Sequence, residues 1–223
     1  MTPYTYYTRE QLLEMYNKLR DSDKHLEYGI VVDVETLGKG PKTVVKNIAG
    51  HIFTFDPKDM GKVLNSPDRV PFMNLRLRMI AQVELGRTVD QETIQWWEAP
   101  ERREANLAIE ALPMVDFKEG MKEFNDWLVE AKQSLKARVW YRGQDFDYPI
   151  YNSLLEDAGI KYKWIRGDAP RDVRSYIDAK LNSITGYAPK VDDDVILHTA
   201  LGDCINDIRQ MQFAYVYSLG YRQ

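Results

Sequence analysis

Residues 29 to 34 read Gly-Ile-Val-Val-Asp-Val, a short run dominated by β-branched apolar residues. Such a run turns no polar side to water, so it predicts a buried strand. A strand covered on both faces needs a layer above and a layer below, which points to an α/β architecture. The run carries Asp33, and Glu35 follows two residues later. Acids at i and i+2 on a strand share one face, where they repel each other unless a cation sits between them. Mg2+ and Mn2+ take oxygen ligands of this kind. The bare Asp-x-Glu pattern says little alone, because it recurs at Asp90-Gln91-Glu92. There it opens a predicted helix, where acids suit the dipole. Placement separates the two. Asp33 and Glu35 end a strand, and open α/β sheets place their sites at the carboxyl ends of strands.

The rest of the pattern fits a single domain without repeats or low-complexity tracts. Further strands are predicted at 47–55, at 72–79 and at 139–141, with a short one near 161–165 (Lys-Tyr-Lys-Trp-Ile). A helical stripe runs through 8–20, opened by Thr8. Asp90 precedes a helix at 91–97, Pro100 opens the next, and Asp116 with Glu119 forms a capping-box-like start for 117–135. Helices are also predicted at 149–158, 171–184 and 200–218. Strands first, then helices mixed with strands, give a mixed sheet flanked by helices.

Composition narrows the function classes. The chain has 223 residues, 44% of them apolar and 29% charged, with a formal net charge of −4. That is the make-up of a folded globular domain. It disfavours a basic protein that holds nucleic acid mainly by counterion release. A polyanionic substrate would need local neutralisation, for which bound metal ions are one candidate. Cys204 is the single cysteine, so no intramolecular disulfide forms and a reducing compartment is the simpler setting. No apolar run approaches the roughly 18 residues of a membrane span. The first ten residues lack the pattern of a signal peptide. A cytoplasmic location follows as the expectation.

Two further groups carry chemistry. His198 stands five residues before Asp203, at the start of an apolar-periodic helix, so the pair reads either as a cap or as part of a site. His25 lies in a polar linker. His51 and Asp56 fall on opposite faces of a strand and are set aside. In Tyr141 to Pro149 (Tyr-Arg-Gly-Gln-Asp-Phe-Asp-Tyr-Pro) a strand runs into a glycine, and Asp145 and Asp147 flank Phe146. Either acid could cap the next helix. Gly38-Lys39-Gly40 reads as a turn, Arg76 and Arg78 as a solvated face, and 192–194 as a polar loop. Trp96-Trp97 reads as core more readily than as a base-stacking platform.

In order, Asp-Val-Glu-Thr-Leu-Gly at 33–38, Asp-Phe-Asp-Tyr-Pro at 145–149 and His-x-Ala-x-x-Asp at 198–203 resemble the DEDDh 3′-5′ exonucleases. The likeness is closer to the subgroup of T-even phage exonuclease A and a related mycobacterial exoribonuclease, through Thr-Ile-x-Trp-Trp at 93–97 and Arg-Asp-Val-Arg at 171–174. The resemblance covers about residues 29 to 217. It implies an RNase H-like fold with a mixed five-stranded sheet, an N-terminal helical extension over 1–28 and an exonuclease domain over 29–223. It also implies phosphodiester hydrolysis with two divalent ions, Mg2+ or Mn2+, releasing nucleoside 5′-monophosphates from the 3′ ends of single-stranded DNA or RNA. Asp33, Glu35 and Asp203 would hold the ion at the attacking water, Asp33 and Asp147 the ion at the leaving oxygen. His198 would be the general base. Thr36 and Leu37 would meet the terminal nucleotide, Leu37 by wedging against its base, and Trp96 and Trp97 would lie near the strand's path. The phage likeness favours DNA over RNA, and would place the protein in a host cytoplasm if it is phage-encoded.

Two rivals remain in view. A haloacid-dehalogenase-type phosphatase opens with Asp-x-Asp-x-Thr, which Asp33-Val34-Glu35-Thr36 approaches, but Glu35 is a poor second acid. A catalytically silent nucleic-acid-binding module would not need the complete set of acids with His198.

Overall fold

The computed structural model describes residues 28–55, 71–143, 145–161 and 169–220. The expected extension over 1–28, with its helix at 8–20, falls outside them except for Tyr28, as does almost all of the strand expected near 161–165.

Nine residues, Tyr28–Thr36, form β1 at the heart of the sheet. β2 (Val45–Thr54) pairs with it antiparallel, and β3 (Phe72–Leu77) pairs antiparallel with β2. Then follow α1 (Met79–Glu84), α2 (Gln91–Glu98), a 3-10 turn at Pro100–Arg102 and α3 (Arg103–Glu110). β4 (Met114–Val115) lies parallel to β3, and α4 (Phe117–Leu135) leads to β5 (Arg138–Tyr141), parallel to β1. α5 (Asp147–Asp157), β6 (Arg171–Asp172), α6 (Val173–Leu181) and α7 (Ala200–Gly220) complete the described elements. The sheet order is β4-β3-β2-β1-β5-β6. An antiparallel meander extended by parallel strands at both edges is the RNase H-like arrangement that the resemblance implies. None of the described helices is long and apolar enough to cross a membrane.

The expectation of five strands is corrected to six. The two edge strands, β4 and β6, are two residues each, too short to show a period of two. β6 occupies the start of the helix expected at 171–184. α1 was not expected, because its six residues are fewer than two helical turns.

The alternation along β1 builds two cores. Ile30, Val32 and Val34 face α4 and α5, against Met121, Phe124, Leu128 and Leu154. Val31 faces α6 and α7, where Ala49, Val173, Ile177, Cys204, Ile208 and Met211 close over it. Each large apolar side chain fully buried here contributes about 1.5–3 kcal/mol. α4 is fixed at both ends. The Asp116 carboxylate accepts from the Lys118 amide at 3.0 Å, and Lys136 ends the helix in the left-handed region at φ 53°.

Candidate active site

Val31, Asp33 and Glu35 alternate along one face of β1, so the apolar α7 face gives way to carboxylates toward the strand's end. At that end the β1–β2 register shifts: Glu35 lies opposite Asn47 and Thr36 opposite Val45. Lys46 is the extra residue of this bulge. Asn47 anchors the start of α7, its side-chain oxygen accepting from the Ala200 amide at 2.9 Å. The chain turns tightly before that helix. A Cβ on Gly202 would stand 2.0 Å from the Ile196 carbonyl oxygen, so glycine is required. Asp203 is thereby set in the first turn of α7, beside β1. One carboxylate oxygen each from Asp33, Glu35 and Asp203 lies within 4.8 Å of the others.

Asp147 enters from the other side. It is the first residue of α5, 3% exposed, and the chain reaches it from β5 through Gly143 at φ +83°. Burial, then the charge of Asp147 and next those of Asp203 and Glu35, push the Asp33 pKa well above the carboxylate range. Burial likewise raises Glu35, with Asp203 and Asp147 adding to it and Lys46 opposing. Burial raises Asp147 as well, with Asp207 and Asp203 adding to it and Arg174 opposing. The group is short of positive charge and offers only hard oxygen donors. A divalent cation fits such a donor set.

His198 stands at the rim. Its backbone is left-handed at φ 62°, a conformation uncommon outside glycine that marks functional turns. The Asp203 carboxylate accepts from the His198 amide at 3.1 Å. The imidazole meets the Trp96 ring edge-on, with centroids 5.1 Å apart. Burial lowers the His198 pKa; Asp203 opposes the shift and Arg102 adds to it.

A cleft of about 370 Å³ opens beside the carboxylates, lined among others by Glu35, Thr36, Thr93, Trp96, Trp97 and Phe146. Trp97 is only 5% exposed. Its indole donates to the Thr36 carbonyl at 2.8 Å, and the Lys46 ammonium lies over its ring at 3.7 Å. Trp96 is 39% exposed. Both rings line the cleft, and Trp96 is the more exposed of the pair. Leu37 packs against the cluster of Trp97, Ala105 and Ile109 and does not line the cleft. The Thr36 hydroxyl donates to the Gly38 carbonyl at 2.7 Å.

The structure thus brings together Asp33, Glu35, Asp147, Asp203 and His198. Asp145 is exposed. His51 is buried away from the site, its Nδ1 2.7 Å from the Ile52 carbonyl oxygen, and burial lowers its pKa to about 4. Asp90 does not cap α2; its carboxylate accepts from the Lys39 amide at 2.9 Å. One acid went unnoticed in the sequence. Asp207, one turn beyond Asp203 on α7, is 2% exposed and pairs with the Arg142 Nε at 2.6 Å. Burial raises its pKa to about 6, and Arg142 opposes the rise. The readable signal was the i, i+4 spacing from Asp203.

Clustered acids beside a histidine, at the strand ends of a mixed sheet, form a donor set suited to a divalent cation. The chain belongs to the family described as the Rv2179c-like 3′-5′ exoribonuclease domain, whose model matches residues 29–215, and it is a 3′-5′ exonuclease. It is 28% identical over 215 residues to an exodeoxyribonuclease of Enterobacteria phage T4, covering 86% of this chain and 91% of that one. Among solved structures it is similar to the nuclease domain of 3′hExo, a DEDDh family member bound to rAMP. That match has a TM-score of 0.48 and 16% identity, over 86% of this chain and 92% of the other. A second is cell-death related nuclease 4 (CRN-4), with a TM-score of 0.41 and 15% identity over 83% and 62%.

Proposed function

We propose that the protein shortens single-stranded nucleic acid from its 3′ end, DNA in preference to RNA, by metal-dependent hydrolysis that releases nucleoside 5′-monophosphates. The observation that carries this reading is the convergence of carboxylate oxygens from Asp33, Glu35 and Asp203 within 4.8 Å. The preference for DNA is supported by the phage relative, which is named an exodeoxyribonuclease.

Two Mg2+ or Mn2+ ions would be held, one by Asp33, Glu35 and Asp203, the other by Asp33 and Asp147. Bound there, they supply charge stabilisation at the entering and leaving oxygens of the phosphodiester. His198 is the general base. Its neutral imidazole takes the proton of the attacking water, and its strained backbone and the Trp96 edge keep the ring at the rim. Thr36 and Phe146 border the terminal nucleotide in the cleft, while Leu37 and Trp97 support that wall from behind. Residues 1–28 form an extension to an exonuclease domain over 29–223. The protein works in the cytoplasm, that of a host cell if it is phage-encoded.

The test compares 5′-labelled DNA and RNA strands of one sequence with Mg2+ or Mn2+. The reading expects a ladder shortening stepwise from the 3′ end, faster on DNA, and abolished by EDTA. Faster cleavage of RNA would transfer the same chemistry to an exoribonuclease, the activity in the family's description. Cleavage undiminished in EDTA, or release from the 5′ end, would overturn the mechanism.

A further inference from the structure

Arg102 ends the 3-10 turn between α2 and α3. Its guanidinium carbon lies 4.2 Å from the centre of the Trp96 ring, and the centroids of that ring and the His198 imidazole are 5.1 Å apart. The guanidinium is therefore no further from the imidazole than those two distances laid end to end. Its Nε, like that of Arg209, is buried without a hydrogen-bond partner, but unlike Arg209 no carboxylate pairs with Arg102 among the described residues. The other partly buried arginines in the described part of the chain have partners. Arg87 pairs with Asp157, Arg142 with Asp207 and Arg209 with Asp194. An arginine held flat on an indole keeps its charge and its planar fork of donors in a fixed position. Among the described residues no carboxylate stands against that fork.

We propose that Arg102 is a phosphate-binding residue that grips a phosphodiester of the strand other than the scissile one. The inference rests on the exonuclease reading above. The scissile phosphate belongs at the carboxylates, and Arg102 is stacked on Trp96 at the cleft wall. An adjacent phosphate can accept from the planar fork while the guanidinium stays stacked on one face of Trp96. In a chain of net charge −4, one unneutralised arginine beside the cleft gives local attraction that the overall charge does not.

Binding of a 5′-labelled single strand is measured in Mg2+ with the Asp147→Asn protein, so that no cleavage intervenes, with and without Arg102→Gln or Arg102→Lys. Arg102→Gln should weaken binding about tenfold, the size of one charge-assisted hydrogen bond. It should also reduce the slope of log affinity against log salt by about 0.7, the value for one phosphate of a single strand. Arg102→Lys should restore the salt slope and part of the affinity. A scan placing one uncharged methylphosphonate at each position should find one phosphate whose neutralisation weakens the Arg102 protein and leaves Arg102→Gln unaffected. Unchanged affinity and salt slope in Arg102→Gln would overturn the inference. So would a loss that no methylphosphonate position reproduces, because a purely structural role has no preferred phosphate. Failure of both the Asp147→Asn protein in Mg2+ and the wild-type protein in Ca2+ to bind any strand would overturn the exonuclease reading and this inference with it.

Discussion

The two faces of β1 do different work. Ile30, Val32 and Val34 enter one core and are sealed by α4 and α5. On the other face Val31 is sealed by α7, but two and four residues later Asp33 and Glu35 take the same outlook. The apolar face stabilises the fold through burial. The acidic face opposes it, because burial and mutual repulsion both raise the carboxylate pKa values. One strand thus holds a stability element and a destabilised, chemically poised element side by side. Substitutions on the acidic face should remove activity and spare the fold, while substitutions in the apolar packing should do the reverse.

The largest effect is expected at Asp147. Asp147→Asn should abolish cleavage of a 5′-labelled strand in saturating Mn2+ and keep the far-ultraviolet spectrum, since the amide cannot supply the charge. Asp145→Asn should keep at least a tenth of the activity, a barrier change under about 1.4 kcal/mol, because Asp145 is exposed outside the cluster. The reverse ranking would place the wrong acid in the site.

Next comes His198→Ala, expected to lower turnover by roughly 10²- to 10⁴-fold and to leave Mn2+ binding by calorimetry intact. Near wild-type rates from pH 6 to 9 would remove His198 from the chemistry.

The tryptophans sharpen the comparison at the cleft wall. Trp97→Ala should lower stability by about 3–5 kcal/mol in urea unfolding, since its indole is buried and bonded to Thr36. Trp96→Ala should cost about 1–3 kcal/mol in single-strand binding with a much smaller change in stability. Equal unfolding losses for both would erase the distinction.

Sequence periodicity revealed the parts of this molecule that are local. The β1 run, the Asp116 cap and the long stripes of α4 and α7 all show in their own residues. The order of acidic motifs with His198 showed the candidate site as well. What stayed hidden depends on distant partners. Two-residue strands β4 and β6 exist because β3 and β5 are there to pair with them. Neighbouring residues on a helix point about 100° apart, so Trp96-Trp97 alone does not tell which ring turns inward. Asp207 meets Arg142 across 65 positions, and Arg102 gains meaning only from the ring beneath it.

The central claim is that the acidic face of β1 is a cation site and not a structural one, and melting of wild type and Asp33→Asn in EDTA and in Mn2+ tests it most directly. The folded-state pKa of Asp33 is raised. Its favourable contribution is therefore present below the unfolded-state pKa and lost as pH rises through the folded value, so pH 8 is the informative condition. In EDTA at pH 8, Asp33→Asn should melt at or above the wild-type temperature, because the cost of burying this carboxyl beside Asp147, Asp203 and Glu35 is gone. Mn2+ at a hundredfold excess over its Kd should raise the wild type by on the order of 5 to 10 °C and the variant far less. A variant that melts lower in EDTA and gains as much from Mn2+ as the wild type would contradict the account.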